Sequence, residues 1–327
     1  DINMLKVSVI VPIYGVERYI GGCAESLFNQ TYSNIEYIFV DDATKDNSIG
    51  ALESVISHYP NRKDQCLILH HENNKGLSGA RNTGVERFTG DYLLHVDGDD
   101  YLEENAVEQL VKFVESNPSD IVVFDSYSVF QDRKVVRCTP YNNKVSLLRD
   151  TILKNIPPSI WNKMYSSRLY RSGYDTLSVE GINHGEDYAT TPRLIYYANS
   201  INKLNKPLYN YVLYNEGSYT KNISMKSVES VLNADEKLFN FFKDKTIEGL
   251  NIPDILYQAK LRTKVGLIKR RNIDLYPQIR SVYNDIPAKY KSMLSLPDRV
   301  LLGLVNMKLY KLADLLCKIG LAFVNKV

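Results

Sequence analysis

The sequence predicts an α/β fold, with a mostly parallel central sheet, flanking helices and a helical C-terminal subdomain. Short apolar runs rich in β-branched residues alternate with stretches of helical periodicity through the first half of the chain. From about residue 226 the pattern is helical to the end. Strands and helices in alternation are typical of a layered fold with right-handed crossovers between parallel strands.

The elements are predicted in the following order. Residues 7–14, VSVIVPIY, form a continuous β-rich run of the kind that is buried on both faces of a parallel sheet. A helix over 17–30 follows, and the later elements are strands at 35–42, 66–71, 91–96 and 120–127 and helices at 46–59, 78–88 and 103–116. Residues 144–225 are less regular, and the helical region after them is broken at Pro253, Pro277, Pro287 and Pro297.

Composition and charge limit the class of protein. The chain has 327 residues, 44% hydrophobic and 24% charged, which is ordinary for a globular protein with one large and one smaller domain. Residues 226–327 carry 18 Lys+Arg against 10 Asp+Glu, or +8, whereas residues 1–225 carry the remaining 22 against 28, or −6. The basic region predicts an anionic partner. Nucleic acid is not expected, because no recognised reading motif accompanies the charge.

Cysteine usage and the N-terminal residues predict a cytoplasmic protein. The four cysteines lie far apart, with neither zinc-site spacing nor a disulfide pattern. The first residues, DINMLKVSVIVP, lack the features of a signal peptide. No run approaches the ~20 apolar residues that are needed to span a bilayer.

Three predicted strands end in residues suited to binding a ligand. Ligands of α/β sheets bind beyond the carboxyl ends of the strands, and here those ends are Pro12-Ile13-Tyr14, Asp41-Asp42 and Asp97-Gly98-Asp99. Asp97 and Asp99 can point the same way in extended backbone, where their mutual repulsion favours a divalent cation, Mg²⁺ or Mn²⁺. The same fragment also suits a tight turn, so both interpretations stay open for it.

Further residues near these strand ends suit a nucleotide. Asp42 can accept a hydrogen bond from a nucleobase imide or a ribose hydroxyl, and the ring of Tyr14 can stack on a base. Lys75 and Arg81 lie among glycines in residues 73–84 and suit an anionic diphosphate.

Several motifs, taken in order, resemble glycosyltransferase family 2, inverting enzymes of the GT-A fold. They are VSVIVPIYGVERYI, FVDDATKDNS, NKGLSGARNTG, LLHVDGDDYL, WNKMYSSRLY and GEDYATTPRL. The resemblance covers roughly residues 5–215 and is specific as an ordered set. The segment VEGINH before Glu186, and everything after about residue 220, lie outside what it secures.

The resemblance implies a nucleoside-diphosphate-sugar donor, most often a UDP-sugar, bound with a divalent metal. It implies that Asp187 is the catalytic base, that Asp99 ligates the metal, and that Asp97 meets the ribose or the metal. Gly98, between the two aspartates, is expected among the donor-binding residues. The residues that it places at the nucleoside are Pro12, Tyr14, Glu17 and Asp42. On this basis residues 1–225 are the catalytic domain, with the nucleotide-sugar region at 1–127 and the acceptor side at 128–225, and residues 226–327 are the C-terminal subdomain.

The chemistry of inversion agrees with the role of Asp187, because one base must take the proton of the acceptor hydroxyl. Glu186 and Asp187 also suit the positive N-terminus of a helix without any catalytic role. Trp161 is either a wall for a sugar ring or a core anchor. Asn162, Lys163 and His184 are expected on the acceptor or diphosphate side, although a solvated lysine and an uninvolved histidine are the simpler interpretations.

The C-terminal residues predict a basic amphipathic helix. Its apolar stripe is Leu301, Leu304, Val305, Leu309, Leu312, Leu316 and Ile319, with Lys308, Lys311 and Lys318 among them. Such a helix can lie on an anionic membrane, at the inner face of the cytoplasmic membrane. It can equally pack on the catalytic domain or on a second subunit.

The predicted function is transfer of a sugar to a saccharide or lipid-linked acceptor in the synthesis of a bacterial surface polysaccharide. A sugar-nucleotide pyrophosphorylase is disfavoured, because no glycine-rich loop follows the first strand. A non-catalytic nucleotide- or carbohydrate-binding protein of the same fold is the alternative.

Overall fold

The computed structural model describes residues 4–215 and 224–324. Its sheet has nine strands in the order β3-β2-β1-β4-β8-β6-β9-β5, and β7 pairs with β6 off this path. The strands are β1 (Val7–Ile13), β2 (Ile35–Asp41), β3 (Cys66–His70), β4 (Tyr92–His95), β5 (Tyr101–Leu102), β6 (Ile121–Val129), β7 (Lys134–Arg137), β8 (Lys163–Ser166) and β9 (Ile201–Val212).

The helices flank this sheet and then continue into the C-terminal region. They are α1 (Ile20–Phe28), α2 (Ser48–His58), α3 (Gly76–Arg87), α4 (Ala106–Ser116), α5 (Lys144–Ile152), α6 (Arg168–Arg171), α7 (Glu186–Tyr197), α8 (Met225–Phe242), α9 (Ile252–Lys269), α10 (Tyr276–Ser281), α11 (Ala288–Lys291), α12 (Leu296–Asn306) and α13 (Tyr310–Val324). The α/β prediction is therefore confirmed, with the strands and helices of the first half close to their predicted positions.

The half of the sheet that begins with β3 is parallel throughout. Strand β1 pairs with β2 in the register Val7↔Ile35 and with β4 in the register Val7↔Tyr92. All seven residues of β1 are buried, because helices cover both faces of the sheet at this point. The carboxyl ends of β1, β2 and β4 consequently meet at one edge.

The structure adds regular elements to residues 144–225, which the sequence predicts as less regular. Strand β9 runs for 12 residues beside β6, and its register shifts where Asp125 faces Pro207. Proline has no N–H to donate, so an irregularity in the ladder at this position is the expected response. The interruption of the β pattern by Pro207 explains why periodicity alone did not identify the strand.

The prolines of the C-terminal region begin helices, as the predicted breaks require. Pro253, Pro277 and Pro297 lie in the first turns of α9, α10 and α12, and Pro287 is the N-cap of α11. A proline at these positions costs no hydrogen bond, because the first amides of a helix have no intrahelical acceptor. None of the helices in the described ranges is long and apolar enough to cross a membrane.

The single amphipathic stripe predicted for the last 30 residues is wrong. Helix α12 ends at Asn306, and Lys308 adopts a left-handed backbone conformation with φ 61° before α13 begins. This break changes the rotational phase of the chain. As a result Leu301 and Val305 are buried in the core of the C-terminal helices, whereas Leu312 and Ile319 are exposed.

We expect Gly84→Ala to destabilise the protein by roughly 1–3 kcal/mol, the usual cost of overpacking a core. A Cβ atom on Gly84 in α3 would lie 2.5 Å from Cγ2 of Ile10, a fully buried residue of β1. Chemical denaturation measures the change in the free energy of unfolding.

The matched control is Gly303→Ala in α12, where a Cβ atom would meet nothing within 4 Å. This substitution is expected to leave stability unchanged or raise it by up to about 1 kcal/mol, the helix propensity of alanine over glycine. Equal effects of the two substitutions would contradict the close packing of α3 on β1.

Candidate active site

The ends of β1 and β4 are in close contact at the predicted site. A Cβ atom on Gly98 would lie 3.0 Å from the backbone oxygen of Pro12, so the approach depends on glycine at this position. Tyr14, just beyond β1, is 50% exposed and presents a ring to solvent. The structure thus brings Pro12, Tyr14 and Gly98 together at the carboxyl edge of the sheet.

Asp42 follows β2 and is fixed from several directions. It is 2% exposed, and its Oδ1 accepts a hydrogen bond of 2.7 Å from the backbone N–H of Lys75. The same oxygen lies 2.7 Å from Nδ1 of His71, whose Nε2 lies 2.8 Å from Oγ1 of Thr83. No described residue donates to the second carboxylate oxygen, Oδ2, which is left for another donor.

His71 is a site residue that the sequence analysis did not select. It directly follows β3, so it lies at the same carboxyl edge of the sheet as Asp42. The signal that could have identified it is its place after a third parallel strand. An imidazole between a carboxylate and a hydroxyl fixes the orientation of the carboxylate.

Glu17 and Lys75 lie on the surface around this edge. The Glu17 carboxylate accepts from the backbone N–H of Asn47 at 3.2 Å, and the backbone N–H of Glu17 donates to the Asp46 carboxylate at 3.0 Å. Lys75 is the N-cap residue of α3, and its side chain is exposed. Both side chains can therefore reach a ligand in solution beyond the strand ends.

Arg81 has different partners from the diphosphate that the sequence predicts. It is 1% exposed, and its guanidinium lies among three carboxylates. Nη2 is 2.9 Å from Oδ1 of Asp97, and Nη1 is 2.7 Å from Oδ1 of Asp187 and 3.6 Å from Oε1 of Glu186. Helix α3 thereby joins the end of β4 to the start of α7.

Arg81 and its three partners, Asp97, Glu186 and Asp187, form the Arg81 cluster, in which acidic groups outnumber the single cation. Burial raises the free energy of the ionised carboxylates. Burial raises the pKa of Asp187, although the Arg81 guanidinium opposes the shift. Burial and the neighbouring Asp187 raise the pKa of Glu186 to about 8. Burial alone would lower the pKa of Arg81, but Asp187 and Asp97 outweigh it and hold the guanidinium charged. Glu186 therefore keeps its proton to a higher pH than an ordinary glutamate does.

Asp187 is oriented at both of its oxygens. Oδ1 accepts from Arg81, and Oδ2 accepts a hydrogen bond of 3.1 Å from the backbone N–H of Ile160. Its side chain is 18% exposed, so one part of the carboxylate still faces the solvent side. Each carboxylate oxygen retains a second lone pair for a further donor.

The three acidic residues after β4 have separate roles. Asp100 is buried and accepts from the Tyr209 hydroxyl and the Val212 backbone N–H, both at 2.7 Å, so it attaches the loop to β9. Asp99 accepts from Nδ2 of Asn215 at 2.7 Å. Burial and the charge of Asp97 raise the pKa of Asp99. A structural role in the loop thus accounts for Asp100. It leaves the carboxylates of Asp97 and Asp99 with oxygens that can bind a further partner.

These carboxylates fit a divalent cation. Asp97 is paired through Oδ1 only, and no described residue donates to its Oδ2. Within residues 4–215 and 224–324 there is no cluster of three or more His, Cys, Asp or Glu side chains that could hold a metal. Mg²⁺ commonly binds through only one or two carboxylates with substrate phosphates completing its shell, so a pair is sufficient.

Residues 161–163 are buried behind the site. Trp161 is 6% exposed and stacks on Tyr209 and Tyr211, with ring centroids 4.4 and 5.4 Å away, as a core anchor does. Lys163 is 1% exposed and donates to Oδ1 of Asn162 at 2.8 Å. Burial lowers the pKa of Lys163 to about 7. The expectation that Lys163 is a solvated lysine is therefore wrong, since its side chain is buried.

His184 lies just before α7 and next to the C-terminal helices. Its backbone N–H donates to the Ser230 hydroxyl at 3.0 Å. It lines a cavity of about 280 Å³ together with Gly185, Arg262 and Arg270. Burial and the Arg270 charge lower the pKa of His184. His184 is therefore only three residues before Asp187 in the sequence, but in the structure it lies against α8 and α9.

A model of the family described as Glycosyl transferase family 2 matches residues 8–177, more than half of the chain. The chain belongs to this family. The matched range contains Asp42, Asp97 and Asp99 but ends before Asp187.

Individual proteins give further comparisons. Glycosyltransferase GlyA of Streptococcus pneumoniae is 31% identical over an alignment of 245 residues, which covers 70% of this chain and 33% of GlyA. The chain thus spans about a third of the length of that relative. A crystal structure of S. aureus TarS 1-349 in complex with UDP-GlcNAc has a TM-score of 0.72 at 20% identity, covering 96% of this chain and 91% of that one.

A second solved structure is the mannosyltransferase PcManGT from Pyrobaculum calidifontis, in complex with GDP-Man and Mn²⁺. Its TM-score is 0.55 at 16% identity, covering 97% of this chain and 87% of that one. At these identities the two solved structures establish the fold, and the GT-A expectation is confirmed.

We predict that Glu186→Gln stabilises the protein increasingly as the pH rises. The folded-state pKa of about 8 exceeds the ordinary value of ~4.3, so ionised Glu186 opposes folding. The stabilising difference should be absent below the ordinary pKa, grow up to about pH 8 and stay constant above it. Thermal unfolding of both proteins across this range measures it.

The exposed Glu25 on α1 provides the control, as Glu25→Gln removes a surface carboxylate. A Glu186→Gln difference that does not change with pH would contradict the raised pKa.

Proposed function

We propose that the chain is an inverting, metal-dependent glycosyltransferase that moves a sugar from a nucleoside-diphosphate donor, a UDP-sugar, to a hydroxyl of a saccharide or lipid-linked saccharide. The observation that carries the proposal is the Arg81 cluster. It sets Asp187, the candidate base, beside Asp97 at the carboxyl edge of the parallel strands, where ligands of such sheets bind.

The nucleoside belongs in this proposal at the ends of β1 and β2. Oδ1 of Asp42 is held by the Lys75 N–H and by His71, and Oδ2, to which no described residue donates, is proposed to accept from the nucleoside. Tyr14 supplies an exposed ring for the base, and Glu17 lies at the same carboxyl edge of the sheet. The Lys75 ammonium can approach the diphosphate. The fold shared with TarS, which binds UDP-GlcNAc in its crystal structure, supports a uridine nucleotide.

Asp187 acts as the general base. It takes the proton of the acceptor hydroxyl, whose oxygen forms a bond to the anomeric carbon as the bond from that carbon to the diphosphate oxygen breaks. The electron pair leaves with the nucleoside diphosphate, and no covalent enzyme intermediate forms. Burial raises the pKa of Asp187, which makes the carboxylate a stronger base, while Arg81 keeps it oriented.

Asp99 and Oδ2 of Asp97 would hold the divalent metal, Mn²⁺ or Mg²⁺, which supplies positive charge for the departing diphosphate. A cation would relieve the repulsion between the two carboxylates, because burial and the charge of Asp97 together raise the pKa of Asp99 despite the hydrogen bond from the Asn215 amide. The Mn²⁺ complex of PcManGT, which has the same fold, supports a divalent metal in this proposal.

The acceptor is proposed to approach from the side of α7, where Asp187 faces solvent. The proposed role is extension of a bacterial surface polysaccharide from the cytoplasmic side of the membrane.

We expect Asp187→Asn to reduce UDP release from UDP-N-acetylglucosamine, UDP-glucose or UDP-galactose by roughly 10²–10⁴-fold, the usual contribution of a general base. The amide oxygen can still accept from Arg81, and Asp187 is proposed on the acceptor side, apart from the nucleoside contacts, so UDP binding measured by calorimetry should be unchanged. Asp132→Asn, on a 72% exposed carboxylate, is the control and should leave both quantities unchanged. UDP binding by a wild-type chain that turns over none of these donors would favour the non-catalytic alternative.

We expect UDP to raise the unfolding temperature more with Mn²⁺ than without it, because a ligand that binds the folded state stabilises it. Asp99→Asn should remove the metal-dependent increment and keep the increment caused by UDP alone. Asp132→Asn should keep both. An undiminished metal increment in Asp99→Asn would remove Asp99 from the metal site.

A further inference from the structure

Helix α13 has one face in the core and an apolar opposite face in solvent. Ala313 and Cys317 are buried in the core of the C-terminal helices. The outward side chains are Leu312 at 49% exposure, Leu315 at 49%, Leu316 at 36% and Ile319 at 47%. Their spacing is the i, i+3, i+4, i+7 pattern by which a surface helix normally faces a core. We call these four residues the α13 stripe.

Among the described residues, the charged groups of α13 and of the turn before it that lack an ion-pair partner are all positive. Lys308, Lys311 and Lys318 are exposed, and none of the three has an ion-pair partner among residues 4–215 and 224–324. The acidic residues of α12 and α13 are neutralised elsewhere. Asp298 lies 2.6 Å from Nζ of Lys269, and Asp314 lies 3.0 Å from Nε of Arg271.

The segment that leads into α13 extends the same character. Met307 is 63% exposed and Leu309 is 45% exposed, on either side of Lys308. Isolated exposed leucines are ordinary on protein surfaces, but a periodic set whose unpaired neighbouring charges in the described part of the chain are lysines marks an interaction surface.

We propose that the α13 stripe and its three lysines bind the surface of an anionic lipid bilayer, with α13 lying in the headgroup region. Burial of the leucines removes apolar area from water, and the lysines meet anionic headgroups. A second copy presenting the same face would bring lysines against lysines, which disfavours self-association. This surface is separate from the Arg81 cluster, so the proposal does not depend on sugar transfer. It would bring the enzyme to a lipid-linked acceptor.

The test is co-sedimentation of the full chain with vesicles of phosphatidylcholine alone or mixed with phosphatidylglycerol. Binding is expected only to the mixed vesicles and should weaken as salt rises. The combined substitution Lys308→Gln, Lys311→Gln and Lys318→Gln should weaken partitioning roughly 100-fold, at ~1 kcal/mol for each lysine. Leu312→Ser with Leu316→Ser should also abolish most of the binding, without a change in the circular dichroism spectrum of the folded chain.

The control carries the same change of net charge on exposed lysines elsewhere, namely Lys63→Gln, Lys206→Gln and Lys243→Gln. It should bind the mixed vesicles almost as tightly as the wild type. Equal weakening by both triple substitutions would show unspecific attraction, and absence of binding by the folded wild type would likewise overturn the proposal. Light scattering that detects a dimer lost in Leu312→Ser with Leu316→Ser, without vesicle binding, would assign the face to a second copy.

Discussion

The site depends on one buried guanidinium. Arg81 lies in α3 and is enclosed by carboxylates from the loop after β4 and from the first turn of α7. Removal of one partner from a buried ion pair usually costs about 3–5 kcal/mol, because the remaining charge is left without compensation. Here the loss of Arg81 would leave three carboxylates facing one another. The relative position of β4, α3 and α7 is consequently tied to this one side chain.

The same helix connects the two chemical ends of the site. At its start, the Lys75 N–H fixes Asp42, the candidate nucleoside contact, and two turns later Arg81 fixes Asp187, the candidate base. The close contact of α3 with β1 at Gly84 holds this helix against the sheet. A donor bound between Asp42 and Asp97 would therefore meet an acceptor-side carboxylate that is already oriented. Preorganisation of this kind lowers the cost of aligning reactants.

The charge balance around Arg81 suits the proposed chemistry at a diphosphate, although no exposed arginine is involved. Asp97, Glu186 and Asp187 outnumber Arg81, and burial raises the pKa of Glu186 and Asp187, as it raises that of Asp99, which the charge of Asp97 also reaches. Such a site stabilises bound cations and protonated groups. A metal would compensate the carboxylates on the donor side, while a proton taken by Asp187 from an acceptor would do so on the other.

The sequence by itself determined the alternating β and α elements of the first half, the helical C-terminal region and the clustering of Asp42, Asp97 and Asp99 at one edge. These follow from local periodicity and from parallel topology, which places strand ends together. Only the tertiary structure decided the partners of Arg81, the burial of Lys163 and Trp161, the contact of His71 with Asp42 and the outward direction of the α13 stripe. Each of these depends on which distant segments pack together, and a helix with apolar residues on both sides does not state in its own sequence which side faces the core.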